Sequence, residues 1–172
     1  MKNTSTNRPI VSAIIEKTEN NTKFVYLHTR WKPQSSPTYS GLLEIPAGTI
    51  ETYENIISAL KREVKEETDL SVIRINGGFI GEIEENIAGN KSMVFQPFVC
   101  QQVLSTIGGL PWIGYVFRCE VKGNVKCNIK EAKDPQWVSL DQLNKLLIHS
   151  PKLFFPLQFP VLKYYAKTSN KE

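Results

Sequence analysis

The sequence has little cysteine and lacks the long apolar run that a membrane span requires. Its three cysteines, Cys100, Cys119 and Cys127, are an odd number without metal-type spacing. This is typical of reduced thiols in a cytoplasmic protein rather than of a disulfide framework or a zinc site. The N-terminus has no apolar signal core, and no stretch is long enough to cross a bilayer. We therefore expect a cytoplasmic protein that does not bind membranes.

Charge of one sign is also scarce. The 172 residues carry a formal net charge of +4, which suits an anionic small molecule but is too weak to indicate nucleic acid binding. A composition of 41% hydrophobic and 22% charged residues is that of a globular protein. We find no internal repeat, so we expect a single domain over residues 1–172, with residues 1–8 loose at its start.

Apolar runs separated by turn residues predict the order of the elements. We expect strands over residues 9–17, 23–30, 41–45, 71–82, 92–104 and 112–121, a helix within 48–70, and helices after residue 139 and within 152–167. Residues 84–91 and 130–135 are expected to be loops. This order predicts an α/β protein in which helices cover both faces of a mixed β-sheet, an α/β/α sandwich.

Three features after the central helix leave alternatives open. The apolar runs 92–104 and 112–121 predict a strand pair that serves substrate specificity, a homodimer contact or only additional sheet. Ser139 or Asp141 is expected to cap the helix that follows. Pro160 indicates either a delayed start or a kink in the last helix.

The chain from residue 53 to residue 70 predicts an amphipathic helix. No proline or glycine interrupts it, and its apolar residues fall on one arc of the helical wheel. These residues are Tyr53, Ile56, Ile57, Leu60 and Val64. Glu63, Glu66 and Glu67 stand at spacings i, i+3 and i+4 beside this arc, so their carboxylates can converge.

Three carboxylates beside a core repel one another and resist removal from water. A divalent cation offsets both effects, and carboxylate oxygens at this spacing suit Mg²⁺, with Mn²⁺ as a close substitute. The alternative is a charged helix face that water solvates.

The same stretch, residues 48–70, resembles the Nudix box of the Nudix hydrolases. The family pattern is Gly, five residues, Glu, seven residues, Arg-Glu, an aliphatic residue, any residue, Glu-Glu, any residue, Gly and an aliphatic residue. The matching positions are Gly48, Glu54, Arg62, Glu63, Val64, Glu66, Glu67 and Leu70. Asp69 stands where the family has Gly, a position that favours a left-handed backbone. The departure removes no acid, and the predicted sandwich is the Nudix fold.

The resemblance implies roles for residues of the box. Glu63, Glu66 and Glu67 would hold the metal together with the backbone carbonyl of Ala47. Arg62 would orient the acids by charged hydrogen bonds; its alternative is a surface ion pair with Glu66. Two further residues, Gly48 and Glu54, would support the site, although Glu54 equally suits the N-terminus of a helix.

The general base is left open. Either one of the three box glutamates takes the proton of the attacking water, or an acid outside the box does. The candidates outside the box are Glu82, Glu84, Glu85, Glu120, Glu131 and Asp134.

Substrate recognition rests on fewer residues. Arg30 ends the second strand, where the family often has a basic residue that contacts phosphate; its alternative is a solvated arginine. Trp31 is positioned either to stack on a base or to pack a loop. The remaining tryptophans, Trp112 and Trp137, are expected in the core. We interpret both histidines, His28 and His149, as structural.

The predicted function is metal-dependent hydrolysis of the pyrophosphate linkage of a nucleoside diphosphate joined to another group, of the ADP-ribose or nucleotide-sugar type. One alternative is a housecleaning nucleoside triphosphate pyrophosphatase. The other is a module that senses a nucleotide without hydrolysing it. In each case the partner is a small molecule derived from a nucleotide.

Overall fold

A computed structural model describes residues 7–107, 109, 111–128 and 130–169. Residues 1–6 of the predicted loose segment lie outside this description. Arg8, which we had assigned to that segment, already belongs to the first strand.

Ten strands and three α-helices make up the described chain. In order they are β1 (Arg8–Glu19), β2 (Thr22–Arg30), β3 (Leu43–Glu44), β4 (Ala47–Thr49), α1 (Ile56–Thr68), β5 (Ser71–Asn76), β6 (Phe79–Ile87), β7 (Asn90–Gln96), β8 (Val99–Gln102), β9 (Trp112–Lys122), β10 (Ala132–Ser139), α2 (Leu140–His149) and α3 (Phe159–Ser169). None of these helices is long and apolar enough to cross a membrane.

Eight of the strands form one sheet with the central order β10-β2-β1-β9-β5. The pair β1–β9 is parallel, whereas β1 pairs with both β2 and β4 in the antiparallel sense. The sheet is therefore mixed, as predicted. Because β4 pairs with β1, the chain that enters α1 is fixed to the middle of the sheet.

Alternate side chains of the sheet pack against helices on opposite faces. Val11 and Ile15 of β1 lie in a buried cluster with Leu60 and Val64 of α1. Ile14, which points the other way, packs in a second buried cluster that α2 and α3 complete. Helices thus cover both faces of the sheet, and the predicted α/β/α sandwich is confirmed.

Helix α1 is bounded by two specific caps. The side chain of Asn55 accepts hydrogen bonds from the backbone N–H groups of Ile57 and Ser58, which starts the helix there. Asp69 ends it with a φ of 61°, so Asp occupies the left-handed position that Gly fills in the family pattern. Tyr53 was wrongly assigned to the buried stripe. It precedes the helix and is fully exposed, because the cap at Asn55 lies after it.

The predicted polar loop over residues 84–91 is wrong. Its two halves belong to β6 and β7, which pair as a separate two-stranded sheet and turn at Gly89 with a φ of 84°. The apolar run over residues 92–104 is divided between β7 and β8, because the ladder stops at Pro97, which has no N–H to donate. Strand β8 pairs antiparallel with β9, as the hairpin prediction required.

The C-terminal third settles two open alternatives and corrects one range. Ser139 caps α2: its hydroxyl accepts from the N–H of Gln142, whose side chain accepts from the N–H of Ser139. Helix α3 starts late, at Phe159, without a kink at Pro160. Of the predicted loop over residues 130–135, only residues 130 and 131 form a turn; β10 starts at Ala132, and its bulge takes up the last residues of the range.

Candidate active site

Strand β4 and helix α1 enclose a cleft of about 380 Å³. We call it the acid cleft, and it is lined by Lys32, Ala47, Gly48, Thr49, Glu51, Arg62, Glu63, Glu66, Glu67, Asn128 and Glu131. All four predicted metal ligands are therefore at one place, three of them from α1 and one from the strand that α1 packs against.

Arg62 forms a clamp between α1 and the loop before it. Its Nε and Nη2 donate to the two carboxylate oxygens of Glu54 at 2.9 and 2.8 Å, and Nη2 also donates to the carbonyl of Thr49 at 3.0 Å. Its Nη1 donates to Glu63 at 2.6 Å and to Glu66 at 3.3 Å. The alternative of a simple surface pair with Glu66 does not describe this geometry.

The clamp also explains the charge state of Glu54. The hydrogen bonds from Arg62, with a further one from the N–H of Glu51, lower the pKa of Glu54 to about 2. Glu54 is therefore ionised at neutral pH, and its negative charge holds Arg62. Glu54 lies directly before the cap of α1 and reaches the acid cleft through its bonds to Arg62.

Gly48 is needed where the carboxyl group of Glu63 approaches the backbone. A Cβ atom at Gly48 would lie 1.9 Å from the Cδ atom of Glu63. Only glycine leaves this space, so β4 and the acid of α1 can meet. Burial raises the pKa of Glu63, while its bond to Arg62 opposes that rise.

Glu67 lies at the floor of the acid cleft and is only 4% exposed. The backbone N–H of Ala47 donates to its Oε2 at 3.2 Å. Burial, followed by the charge of Glu44, raises the pKa of Glu67 well above 4.5. A buried carboxylate beside a second buried carboxylate is a place that a divalent cation fits chemically.

His28 is a residue at this floor whose position the sequence does not reveal. It is fully buried, and its Nε2 lies 3.5 Å from Glu44 and 3.9 Å from Glu67. Neither ring nitrogen has a hydrogen-bond partner among the described residues. The contact depends on the pairing of β2 with β3, which places His28 opposite Glu44. No spacing along the chain could have indicated it.

The three box glutamates line the same cleft, but their carboxylates do not converge on one metal position. Glu66 is 56% exposed at its side chain and is bonded to Arg62, while Glu67 is buried. In the part of the chain that the structure describes, no three His, Cys, Asp or Glu side chains are already arranged around a common metal position.

A second cleft, of about 280 Å³, opens beside the first. We call it the side cleft, and it shares Lys32, Ala47, Gly48 and Thr49 with the acid cleft. Its other lining residues include Arg8, Arg30, Tyr39, Glu44, Trp112 and Phe155. The two clefts therefore form one continuous depression with acids at one end and cations and aromatic rings at the other.

The predicted substrate residues divide between this cleft and a loop. Arg30 lines the side cleft, where Nη1 contacts Glu44 at 3.1 Å and the guanidinium lies 5.0 Å from the ring of Phe155. It is not a solvated strand end. Trp31 instead packs beneath the ammonium group of Lys133 at 3.2 Å, which is the loop-packing alternative.

Several residues of the depression were missed at the sequence level. Trp112, expected in the core, is half-buried and lines the side cleft, because its strand β9 begins there. Lys32 joins the two clefts and pairs with Glu131 at 2.7 Å. Glu131 is also the one candidate base from outside the box that lines the acid cleft among the described residues.

Comparison with known proteins identifies the family. The NUDIX domain model matches residues 6–158, which is most of the chain. The protein therefore belongs to the NUDIX family, and the predicted family and fold are confirmed. Members of this family generally use divalent metals. No curated protein matches the chain.

Solved structures share the fold at low sequence identity. The MutT protein of Methanosarcina mazei Go1 is 19% identical, with 98% of this chain and 99% of that chain covered and a TM-score of 0.62. The NUDIX domain of Shewanella oneidensis NrtR, solved with ADP ribose, is 13% identical, with coverages of 97% and 90% and a TM-score of 0.61. The C. elegans Ap4A hydrolase is 13% identical, with coverages of 95% and 99% and a TM-score of 0.56. These structures show the fold, and the family match over residues 6–158 confirms the prediction of a Nudix-type pyrophosphohydrolase at the level of the family.

Proposed function

We propose that this protein hydrolyses the pyrophosphate linkage of a nucleoside diphosphate joined to another group, of the ADP-ribose or nucleotide-sugar type, with Mg²⁺ or Mn²⁺. The observation that carries the proposal is the continuous depression formed by the acid cleft and the side cleft. Two linked phosphates suit this depression because a cation held by the acids and the basic residues Arg30 and Lys32 would both bind phosphate oxygens. The NrtR domain solved with ADP ribose has this fold, which supports the substrate class.

The box residues of the acid cleft have distinct tasks in this proposal. Glu63, Glu66, Glu67 and the carbonyl of Ala47 would hold the cation, which when bound would neutralise phosphate charge and make water more acidic. Arg62 keeps Glu63 and Glu66 in place. Arg62 is held in turn by the ionised carboxylate of Glu54.

The attacking water must lose a proton as it bonds to phosphorus. Glu131 lines the acid cleft from outside the box, and Lys32 holds its carboxylate at 2.7 Å. We assign the base to Glu131. The other candidates do not line this cleft. Glu82, Glu84 and Glu85 lie on the β6–β7 hairpin. Glu120 of β9 pairs with Arg74 of β5, and Asp134 lies in the bulge of β10.

The side cleft is the place for the nucleoside. Tyr39 and Phe155 form an edge-to-face pair at 5.2 Å, and Trp112 lies on the same wall. Aromatic walls bind a base by stacking. A triphosphate pyrophosphatase would use the same acids, so the alternatives differ in the substrate and not in the metal. A sensing module is disfavoured because all three box glutamates are present.

Hydrolysis of a substrate panel tests this proposal. ADP-ribose, nucleotide sugars and nucleoside triphosphates would be incubated with and without Mg²⁺, and released phosphate compounds would be measured. We expect turnover of a diphosphate-linked substrate with Mg²⁺, and a loss of about 100-fold or more in Glu66→Gln, because that substitution removes a ligand charge from an exposed position.

Glu84→Gln is the matched control, because Glu84 lies on the β6–β7 hairpin away from both clefts. It should keep full activity. Equal activity of wild type and Glu66→Gln would contradict the metal role of the box. If only triphosphates were hydrolysed, the protein would be a nucleoside triphosphate pyrophosphatase instead. Inactivity on the whole panel would favour the sensing module.

We also propose a cytoplasmic location, which is compatible with the three cysteines being unpaired thiols.

A further inference from the structure

A third cavity lies on the face of the sheet that α1 covers, opposite the side cleft and next to the loop that leads into α1. Its volume is about 490 Å³, which is within the range of small-molecule sites. We call it the rear cavity, and it is lined by Pro9, Ile50, Tyr53, Glu54, Asn55, Ile56, Ile83, Lys91, Ser92, Met93, Phe95 and Tyr115. Adjacent residues of β1 divide the cavities: Ile10 lines the side cleft and Pro9 lines the rear cavity. The sheet therefore separates the two.

The walls of the rear cavity are apolar and partly aromatic. Phe95 and Tyr115 meet edge to face with ring centroids 5.5 Å apart. Ile83 and Met93 of the β6–β7 hairpin also line it. A cavity with this largely apolar and aromatic lining suits an apolar ligand group with a few polar atoms.

Tyr53 stands at the rim in an unusual state. It is fully exposed, and its φ is 61°, a conformation that bulky residues rarely adopt. Such a residue is often found where it serves a ligand. An aromatic ring held out at the rim of an aromatic cavity is positioned to cover a flat group that enters.

The rear cavity also contains a hydrogen-bond donor, the side-chain amide of Asn55, whose present acceptor is weak. Asn55 uses its Oδ1 to cap α1, while its Nδ2 faces the sulfur of Met93 at 2.9 Å. A thioether is a weak acceptor. An oxygen or ring nitrogen of a ligand would be a better partner for this amide.

We propose that the rear cavity is a second ligand site, which binds a planar aromatic group that carries one hydrogen-bond acceptor. The ring lies between Tyr53 and the pair Phe95–Tyr115, and its acceptor takes the N–H of Asn55. The cavity carries no free charge for an ionic ligand, because its two charged lining residues are already paired: Glu54 with Arg62 and Lys91 with Glu85. In this respect it differs from the acid cleft, which is lined mainly by charged and polar residues.

The position of the site also gives it a connection to catalysis. Glu54 lines the rear cavity and holds Arg62 on the other side of the loop. A ligand in the rear cavity therefore contacts the same carboxylate that fixes the clamp of the acid cleft.

Binding of 1-naphthol and of its saturated analogue 1-decalol, each titrated calorimetrically into the 172-residue protein, tests the proposal. The two probes have the same heavy atoms, but only 1-naphthol is planar. We expect 1-naphthol to bind about fivefold more tightly. We expect Met93→Trp, which fills the cavity, to weaken binding of 1-naphthol by at least about tenfold.

Val94→Trp is the matched control, because Val94 is the next residue of β7 and its side chain is exposed outside the cavity. It should leave the affinity unchanged. Tyr53→Phe should bind like wild type, and Tyr53→Ala should bind several times more weakly. Circular dichroism and melting temperature establish that each variant is folded, so the test does not depend on any hydrolysis assay.

Three results would overturn the proposal. The first is no binding of 1-naphthol to wild type, or equal binding to Met93→Trp. The second is equal affinity for 1-naphthol and 1-decalol, which would indicate a nonspecific apolar surface. The third is loss of 1-naphthol binding as the protein concentration rises together with dimer formation, which would show that a second copy of the chain fills the cavity.

Discussion

At the scale of single residues, the acid cleft keeps one carboxylate in an unfavourable state. Glu67 is buried next to Glu44 and receives one backbone hydrogen bond. Its pKa is raised, so the folded protein holds its proton more tightly than the unfolded chain does. Without a cation, stability should fall as the pH rises above about 4.5, until Glu67 is ionised in both states.

Glu67→Gln should therefore raise the melting temperature in the presence of a chelator, by about 3 °C or more at pH 8, and the gain should shrink toward pH 5. Added Mg²⁺ should stabilise wild type but not the variant, because the variant lacks the ligand charge. Melting curves at several pH values, with chelator or with Mg²⁺, measure both effects. A variant less stable than wild type at pH 8 in chelator would contradict this account of the buried charge.

The sequence indicates some of these residues and conceals others for a physical reason. Glu63, Glu66 and Glu67 follow helical spacing, so one element is enough to bring them to one cleft. Glu44 and His28 meet Glu67 only after β2 has paired with β3 and α1 has packed on the sheet. Such contacts depend on strand register, which a single sequence does not encode locally.

At the scale of elements, the end of α1 shows how one departure from the family pattern is tolerated. Asp69 takes the left-handed conformation at a φ of 61°, and Lys65 donates to its backbone carbonyl at 2.8 Å. Asp and Asn accept this conformation more easily than alanine does, and glycine accepts it without strain.

Asp69→Gly should consequently raise the melting temperature by about 2 °C, whereas Asp69→Ala should lower it. Urea unfolding with unchanged m-values is the second measurement, because it separates stability from changes in the unfolded state. Hydrolytic activity should stay the same in both variants. If alanine were as stable as glycine at this position, the strain argument would fail.

Sequence analysis missed two kinds of element. The hairpin of β6 and β7 exposes Ile80, Ile83, Ile87 and Val94, together with its acids, so alternation along it carries no clear inward and outward pattern. Strand β10 belongs to the main sheet and buries Ala132 and Val138, but its polar residues and its bulge interrupt the apolar run that reveals the other long strands.

At the scale of the whole molecule, a buried polar cluster joins the sheet to the last helix. Glu16 of β1 accepts hydrogen bonds from Arg118 of β9 at 3.2 Å and from Tyr165 of α3 at 2.9 Å. Glu16 and Arg118 are both buried. Removal of one partner leaves the other charge in a low-dielectric region.

Arg118→Met should lower the free energy of unfolding by about 3 kcal/mol. Arg74→Met is the control: Arg74 pairs with Glu120 at 3.6 Å on the surface of the neighbouring strand, and its loss should cost about 0.5 kcal/mol or less. Urea denaturation of both variants measures the difference. Equal losses would show that the cluster contributes no more than a surface pair.

The parallel pair of β1 and β9 has a consequence for the order of folding during synthesis. Residues 8–15 of β1 meet residues 112–119 of β9, so β1 is synthesised long before its parallel partner. Strand β4 and the box helix are anchored on β1 in the meantime. The acids of the box are therefore translated early, and a nascent chain that is halted before β9 carries all of them without the parallel partner of β1.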